Sequence, residues 1–207
     1  MDWHLIAAVL VTMAASYLLG CCNTSIVISK YVLRDDVRNH GSGNAGLTNF
    51  YRVFGKQKIL LVILADVLKT VIAVLAGAAL FHWAGNDPII GKLLGGLLCM
   101  VGHMFPFQFE FKGGKGVLAG GTMACFLGWK VAVAVWGIFL LMVILTRFVS
   151  LGSVGAGVLY PISVGLVYQN LWYTLLALVA GGLLVWRHKD NIKRLLRGEE
   201  SKLKLHK

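Results

Sequence analysis

Residues 39–52 run Asn39-His40-Gly41-Ser42-Gly43-Asn44-Ala45-Gly46-Leu47-Thr48-Asn49-Phe50-Tyr51-Arg52. Three glycines alternating with small residues let the backbone turn so that successive N–H groups point into one concavity, an anion nest. Ser42, Asn44, Thr48 and Asn49 add neutral donors, and the Arg52 guanidinium is a planar fork that matches phosphate. An ordinary turn with a helix cap would use the same residues. A second segment, Gly102-His103-Met104-Phe105-Pro106, is followed by Phe111-Lys112-Gly113-Gly114-Lys115-Gly116, which leads straight into an apolar run. A Gly-Gly-Lys-Gly turn at a helix start offers free N–H groups, the positive dipole end and a lysine charge together. It is not the nucleotide loop, because G-x-x-x-x-G-K-[ST] occurs nowhere. A basic stop signal at a membrane edge is the plainer alternative.

The third segment is Arg187-His188-Lys189-Asp190-Asn191-Ile192-Lys193-Arg194-Leu195-Leu196-Arg197-Gly198-Glu199-Glu200. Basic residues after an apolar run commonly anchor to lipid headgroups. Yet His188 and Asn191 stand three apart, so a continuing helix gives them one face. Asp66 and Lys69, also three apart, lie inside an apolar run, where ionisable groups are costly and usually paired. They are expected as an internal ion pair. Ser150 and Ser153 flank Gly152 and offer hydroxyl donors, or merely cap a helix. His82 and Asp87 fit a His-x-x-x-x-Asp acyltransferase spacing, but they fall in a short loop far from the three glycine-rich or basic segments.

These groups must be positioned by a membrane bundle. The 207 residues are 57% hydrophobic and only 14% charged, with mean hydropathy +0.75. Soluble domains carry about 25% charged residues, so the bilayer is the solvent here. The apolar runs cover about 3–22, 59–81, 89–106, 117–128, 131–146, 151–168 and 171–186. The fourth and fifth are parted only by Gly128-Trp129-Lys130, so one long helix or two short ones are both open. Net charge is +11, and of 20 Lys/Arg, six lie in 30–58, two in 107–116 and eight in 187–207. An odd number of crossings places these segments together, as the positive-inside rule wants.

The expected fold is therefore an all-α polytopic bundle of seven spans, N-terminus outside and C-terminus cytoplasmic. Residues 1–207 form a single domain, and the fourth span is too short to cross alone unless sheltered. The 25 glycines, many within spans, predict close helix contacts. The cysteines (Cys21, Cys22, Cys99, Cys125) lack C-x-x-C spacing and are expected as small buried hydrophobes. Without a basic-aromatic soluble platform, nucleic acid is not an expected partner. A transporter would want polar groups near mid-membrane and matching halves, and neither is present.

The three segments together resemble the bacterial glycerol-3-phosphate acyltransferases that use acyl phosphate. The family's blocks appear here as GSGNAGLTNFYR (41–52), GHMFP with FKGGKG (102–106, 111–116) and HKDNIKRLLRGEE (188–200). Departures are Leu47 where alanine is usual, Cys21-Cys22-Asn23 for a customary Ser-x-Pro, and Gly120-Gly121 for Ala-Thr. The resemblance implies acyl transfer from acyl phosphate to the 1-hydroxyl of glycerol 3-phosphate, giving lysophosphatidic acid, in the bacterial plasma membrane with the site facing the cytoplasm. It implies no cofactor and no metal, and a partner enzyme that makes acyl phosphate from acyl carrier protein. Carried over by position, Ser42, Lys115, His188 and Asn191 are the catalytic candidates. Asn44, Thr48, Arg52, Gly113, Gly114 and Ser153 are the phosphate-binding candidates.

Overall fold

A computed structural model describes residues 2–203, and all regular structure among the described residues is helical. The last two tail lysines, at 204 and 207, lie outside them. The chain divides into two compact units, Met1–Met123 and Ala124–Lys207.

In the first unit, α1 (Trp3–Cys21), α4 (Ile59–Trp83) and α5 (Pro88–Met104) pack on one another. Between α1 and α4 lie a short α2 (Thr24–Val27), one π-helical turn (Ile28–Val32) and α3 (Leu47–Phe54). Sequence sets the starts. Asp2 caps α1 by accepting from His4 N at 3.1 Å, and Asp87 caps α5, with Pro88 in the first turn. Both satisfy amides that have no intrahelical partner.

Glycine governs the packing. A Cβ on Gly77 would fall on the Gly91 carbonyl oxygen, and one on Gly91 would fall on that of Gly77. In the same way Gly20 rides on the Cys99 carbonyl, Gly95 on that of Ala73 and Gly102 on that of Tyr17. These helices touch backbone to backbone, the contact that lipid favours because side-chain burial gains nothing there. Gly91→Ala forces α4 and α5 apart, an overpacking cost of about 1–3 kcal/mol. The expected result is a thermal midpoint lowered by several degrees in detergent, read by scanning fluorescence, with Gly182→Ala, where a methyl meets open space, as the silent control.

In the second unit, α7 (Trp129–Thr146), α8 (Val149–Tyr168) and α9 (Leu171–Arg187) pack in sequence. Gly157 and Gly181 repeat the glycine-on-carbonyl contact between α8 and α9. The short apolar helix α6 (Val117–Leu127) precedes them, and the unit boundary falls within it. Gly128, at φ 125°, breaks α6 from α7, so the fourth and fifth apolar runs are separate helices.

Among the described residues, five segments are long and apolar enough to cross a membrane, or six if α9 and the following α10 (Lys189–Leu196) count as one. α6, at 11 residues, spans about 16 Å, well short of the roughly 30 Å hydrocarbon core. The expectation of a helix continuing past His188 is corrected. The chain bends by 55° between Arg187 and Lys189, with His188 at the joint.

Candidate functional site

The first unit holds two of the three polar segments. Asn49, on the buried face of α3, organises the first. Its Oδ1 accepts from Ser42 N at 2.9 Å, and its Nδ2 donates to Val37 O at 3.1 Å and His40 O at 3.0 Å. Gly41 and Gly43 have φ of 59° and 66°, the left-handed region that glycine occupies without strain. Gly43 N donates to His40 O at 3.0 Å. The nest expected from these glycines is thus corrected: the Ser42 and Gly43 amides are engaged within the loop, and Asn49 is its brace, not a donor to ligand. The side chains left outward are those of Ser42, Thr48 and Arg52, all exposed, with Asn44 half-buried. Thr48 and Arg52 lie four apart on α3, on one face.

Beneath this loop, Phe50 packs with Ile26, Ile28, Val37, Ala45, Val62 and Phe109. Arg38, paired with Asp36 at 2.7 Å, also donates to Phe109 O at 3.1 Å. It thereby ties the first polar loop to the second. The Arg38 hydrogen bond holds the Asp36 carboxyl below its usual range, against the opposing effect of partial burial.

The second segment packs on the end of α5. Gly113 N donates to Met104 O at 3.1 Å and Gly114 N to His103 O at 3.0 Å. A Cβ on Gly113 would meet the His103 carbonyl, and one on Gly114 would meet the His103 ring. These glycines permit close packing on His103, and their amides are not the free donors expected of them. Lys115 follows, half-buried. Below lies the expected ion pair, Lys69 Nζ to Asp66 Oδ1 at 2.6 Å, both side chains buried. His82 and Asp87 sit at the other end of α4 and α5, about 24 Å along the helix from His103 at 1.5 Å per residue. The Asp87 carboxylate accepts from Ile89 N at 2.9 Å as a helix cap.

The second unit holds the third segment. His188 is buried, and its Nδ1 lies 2.8 Å from Leu184 O. A carbonyl only accepts, so in the neutral ring Nδ1 carries the proton and Nε2 is the acceptor. Asn191, also buried, donates to Glu200 Oε1 at 2.8 Å. Ser150 Oγ donates to the same oxygen at 3.0 Å, and Arg194 Nε to Oε2 at 2.8 Å. Burial works to raise the Glu200 pKa, but the bonds from Asn191, Arg194 and Ser150 outweigh it and hold it below the usual carboxylate range. Ser153, buried, donates its hydroxyl proton to Val149 O at 2.9 Å.

Four supports were missed in the sequence: Arg38, the bracing role of Asn49, the seat His103 gives the glycines, and Glu200. Asn49, His103 and Glu200 each stand in one of the three blocks and Arg38 in none, but spacing named no partner for them: the nine residues from Asn191 to Glu200 match no helical period.

Three comparisons bear on this arrangement. A model of the glycerol-3-phosphate acyltransferase family matches residues 10–198. A glycerol-3-phosphate acyltransferase of Prochlorococcus marinus (strain MIT 9312) is 40% identical over 91% of this chain and 94% of its own. One from Thermoanaerobacter pseudethanolicus is 36% identical over 93% and 94%. The crystal structure of PlsY (YgiH), an integral membrane glycerol 3-phosphate acyltransferase, in its glycerol 3-phosphate form superposes with a TM-score of 0.85 at 33% identity. It covers 95% of this chain and 96% of that one. The lysophosphatidic acid form gives 0.82 at 32% identity, covering 95% of each. With helices that fit a bilayer, three polar segments in the family's order and relatives matched over nearly their whole length, the chain belongs to the family of integral membrane glycerol-3-phosphate acyltransferases.

Proposed function

We propose that the protein transfers a fatty acyl group from acyl phosphate to the 1-hydroxyl of glycerol 3-phosphate, releasing lysophosphatidic acid and phosphate. It does so as one acyltransferase domain of seven spans in the bacterial plasma membrane, N-terminus outside, with its polar segments at the cytoplasmic face. Acyl phosphate would come from an enzyme that draws on acyl carrier protein. The observation that carries this reading is the outward Ser42, Thr48 and Arg52 on a loop braced by Asn49, a ready grip for a phosphate.

An acyl phosphate carries a good leaving group, so no protein nucleophile is required. The work is to position two anions and stabilise the oxyanion, where one well-aimed donor is worth about 3–4 kcal/mol. Ser42, Asn44, Thr48, Arg52 and Lys115 bind phosphate. Gly113 and Gly114 contribute by keeping the chain tight to His103. Ser153 joins only by turning its hydroxyl away from Val149. His188 and Asn191 orient glycerol 3-phosphate or the reacting carbonyl. A donor phosphate oxygen takes the hydroxyl proton.

Purified protein given acyl phosphate, acyl-CoA or acyl carrier protein with glycerol 3-phosphate tests the donor. Turnover with phosphate release is expected from acyl phosphate alone, and turnover from a thioester alone overturns the assignment. The proton acceptor is tested by His188→Gln. A loss of about tenfold or less fits substrate assistance, whereas a loss on the order of 10⁴-fold with unchanged substrate binding makes His188 Nε2 the general base.

A further inference from the structure

We propose that His103 is a positioning residue for the 111–116 loop, its tautomer set by Lys69 so that the Nε2–H faces Gly114 and fixes where Lys115 meets its ligand. The Lys69 ammonium lies 2.6 Å from Asp66 Oδ1, 3.0 Å from Cys22 O, 3.1 Å from His103 Nδ1 and 3.4 Å from Gly20 O. An ammonium has protons and no lone pair, so Nδ1 must accept and the ring proton resides on Nε2. Asp66, which also accepts from Thr24 Oγ1 at 3.0 Å, is the carboxylate that pairs with this ammonium.

The other side of the ring meets the loop. A Cβ on Gly114 would strike Nε2, closer than either Cδ2 at 2.9 Å or Cε1 at 3.0 Å. The His103 carbonyl meanwhile receives Gly114 N at 3.0 Å and Asn23 Nδ2 at 3.3 Å. Both the ring and the backbone of His103 therefore bear on the glycines before Lys115. The chain of contact runs Asp66, Lys69, His103, Gly114, each member buried, and ends one residue from the lysine charge.

The inference rests on the reading that the 111–116 loop holds a substrate phosphate, and the test separates the two. His103→Asn keeps a group near Nδ1 and removes the one at Nε2, whereas His103→Gln places an amide near Nε2. His103→Asn is expected to raise KM for one phosphorylated substrate about tenfold while kcat stays within about threefold, and His103→Gln to leave KM within about threefold. A folded His103→Asn protein with both KM values unchanged overturns the proposal, as does equal impairment of the two variants. If Lys115→Ala changes neither KM, the phosphate reading of the loop fails by itself.

Nitrogen-15 spectra of histidine-labelled protein, with His103→Gln for assignment, give a readout independent of activity. Wild-type His103 is expected as a neutral ring protonated at Nε2, and its signals are expected to move in Lys69→Met. A proton on Nδ1, or on both nitrogens, overturns the proposal.

Discussion

Glu200→Ala is expected to lower kcat/KM by about a hundredfold, although Glu200 acts only through the side chains it holds. Its carboxylate collects Asn191 and Ser150 on one oxygen and Arg194 on the other. Hydrogen bonds to a charged group contribute about 1.5–3 kcal/mol each. Truncation leaves the buried Asn191 amide without this anchor, so the side chain assigned to orient substrate loses its fixed rotamer. Glu200→Gln isolates the charge. The amide oxygen still serves Asn191 and Ser150, but its nitrogen opposes the Arg194 donor, so a loss of about tenfold is expected. Equal activity of Glu200→Ala and wild type would remove the tether from the mechanism.

The same carboxylate sets a pH dependence. Its pKa is depressed in the folded protein, so its contribution is full above the ordinary carboxylate range and lost as pH falls through the folded value. Activity and thermal midpoint should fall together below that range, and in Glu200→Gln the midpoint should lose this acid limb.

Arg52→Ala is expected to reduce kcat/KM by about 10²–10³-fold, as the loss of a bidentate phosphate grip predicts. Arg52 is exposed on α3 and Thr48 lies one turn before it, so removing it opens no cavity. The thermal midpoint should stay within about a degree, which separates this variant from Glu200→Ala. Arg52→Lys should recover only part, because a point charge cannot reproduce the two parallel bonds of a guanidinium. A change within threefold for Arg52→Ala would take Arg52 out of the site.

The spanning helices were legible because long apolar runs in lipid have one solution. Each of the seven expected runs is a helix, with ends shifted by a few residues. The break at Gly128 had a written cause in a glycine. The 55° bend at His188 had none, since neither glycine nor proline stands there, and periodicity carried a helix through it. The site was legible as residue types and less so as bonds. Glycines in 41–43 and 113–114 looked like anion donors, but donors bury themselves in whatever carbonyl is near. His40, His103 and Met104 supplied those carbonyls, which no spacing rule could place. Asn49 was read as one more polar group because nothing in sequence says that its face of α3 is the inner one. Asp66 and Lys69 were legible as a pair because a charge inside an apolar run has few alternatives.

The brace at Asn49 has a consequence for how ligand arrives. Three hydrogen bonds from one buried amide leave the 37–42 backbone little freedom to lose. An incoming anion then meets a shape already made, and the ordering entropy that a floppy loop would forfeit on capture has been settled during folding. Association at this loop should run at the pace of diffusion and electrostatic attraction, without a slow closing step.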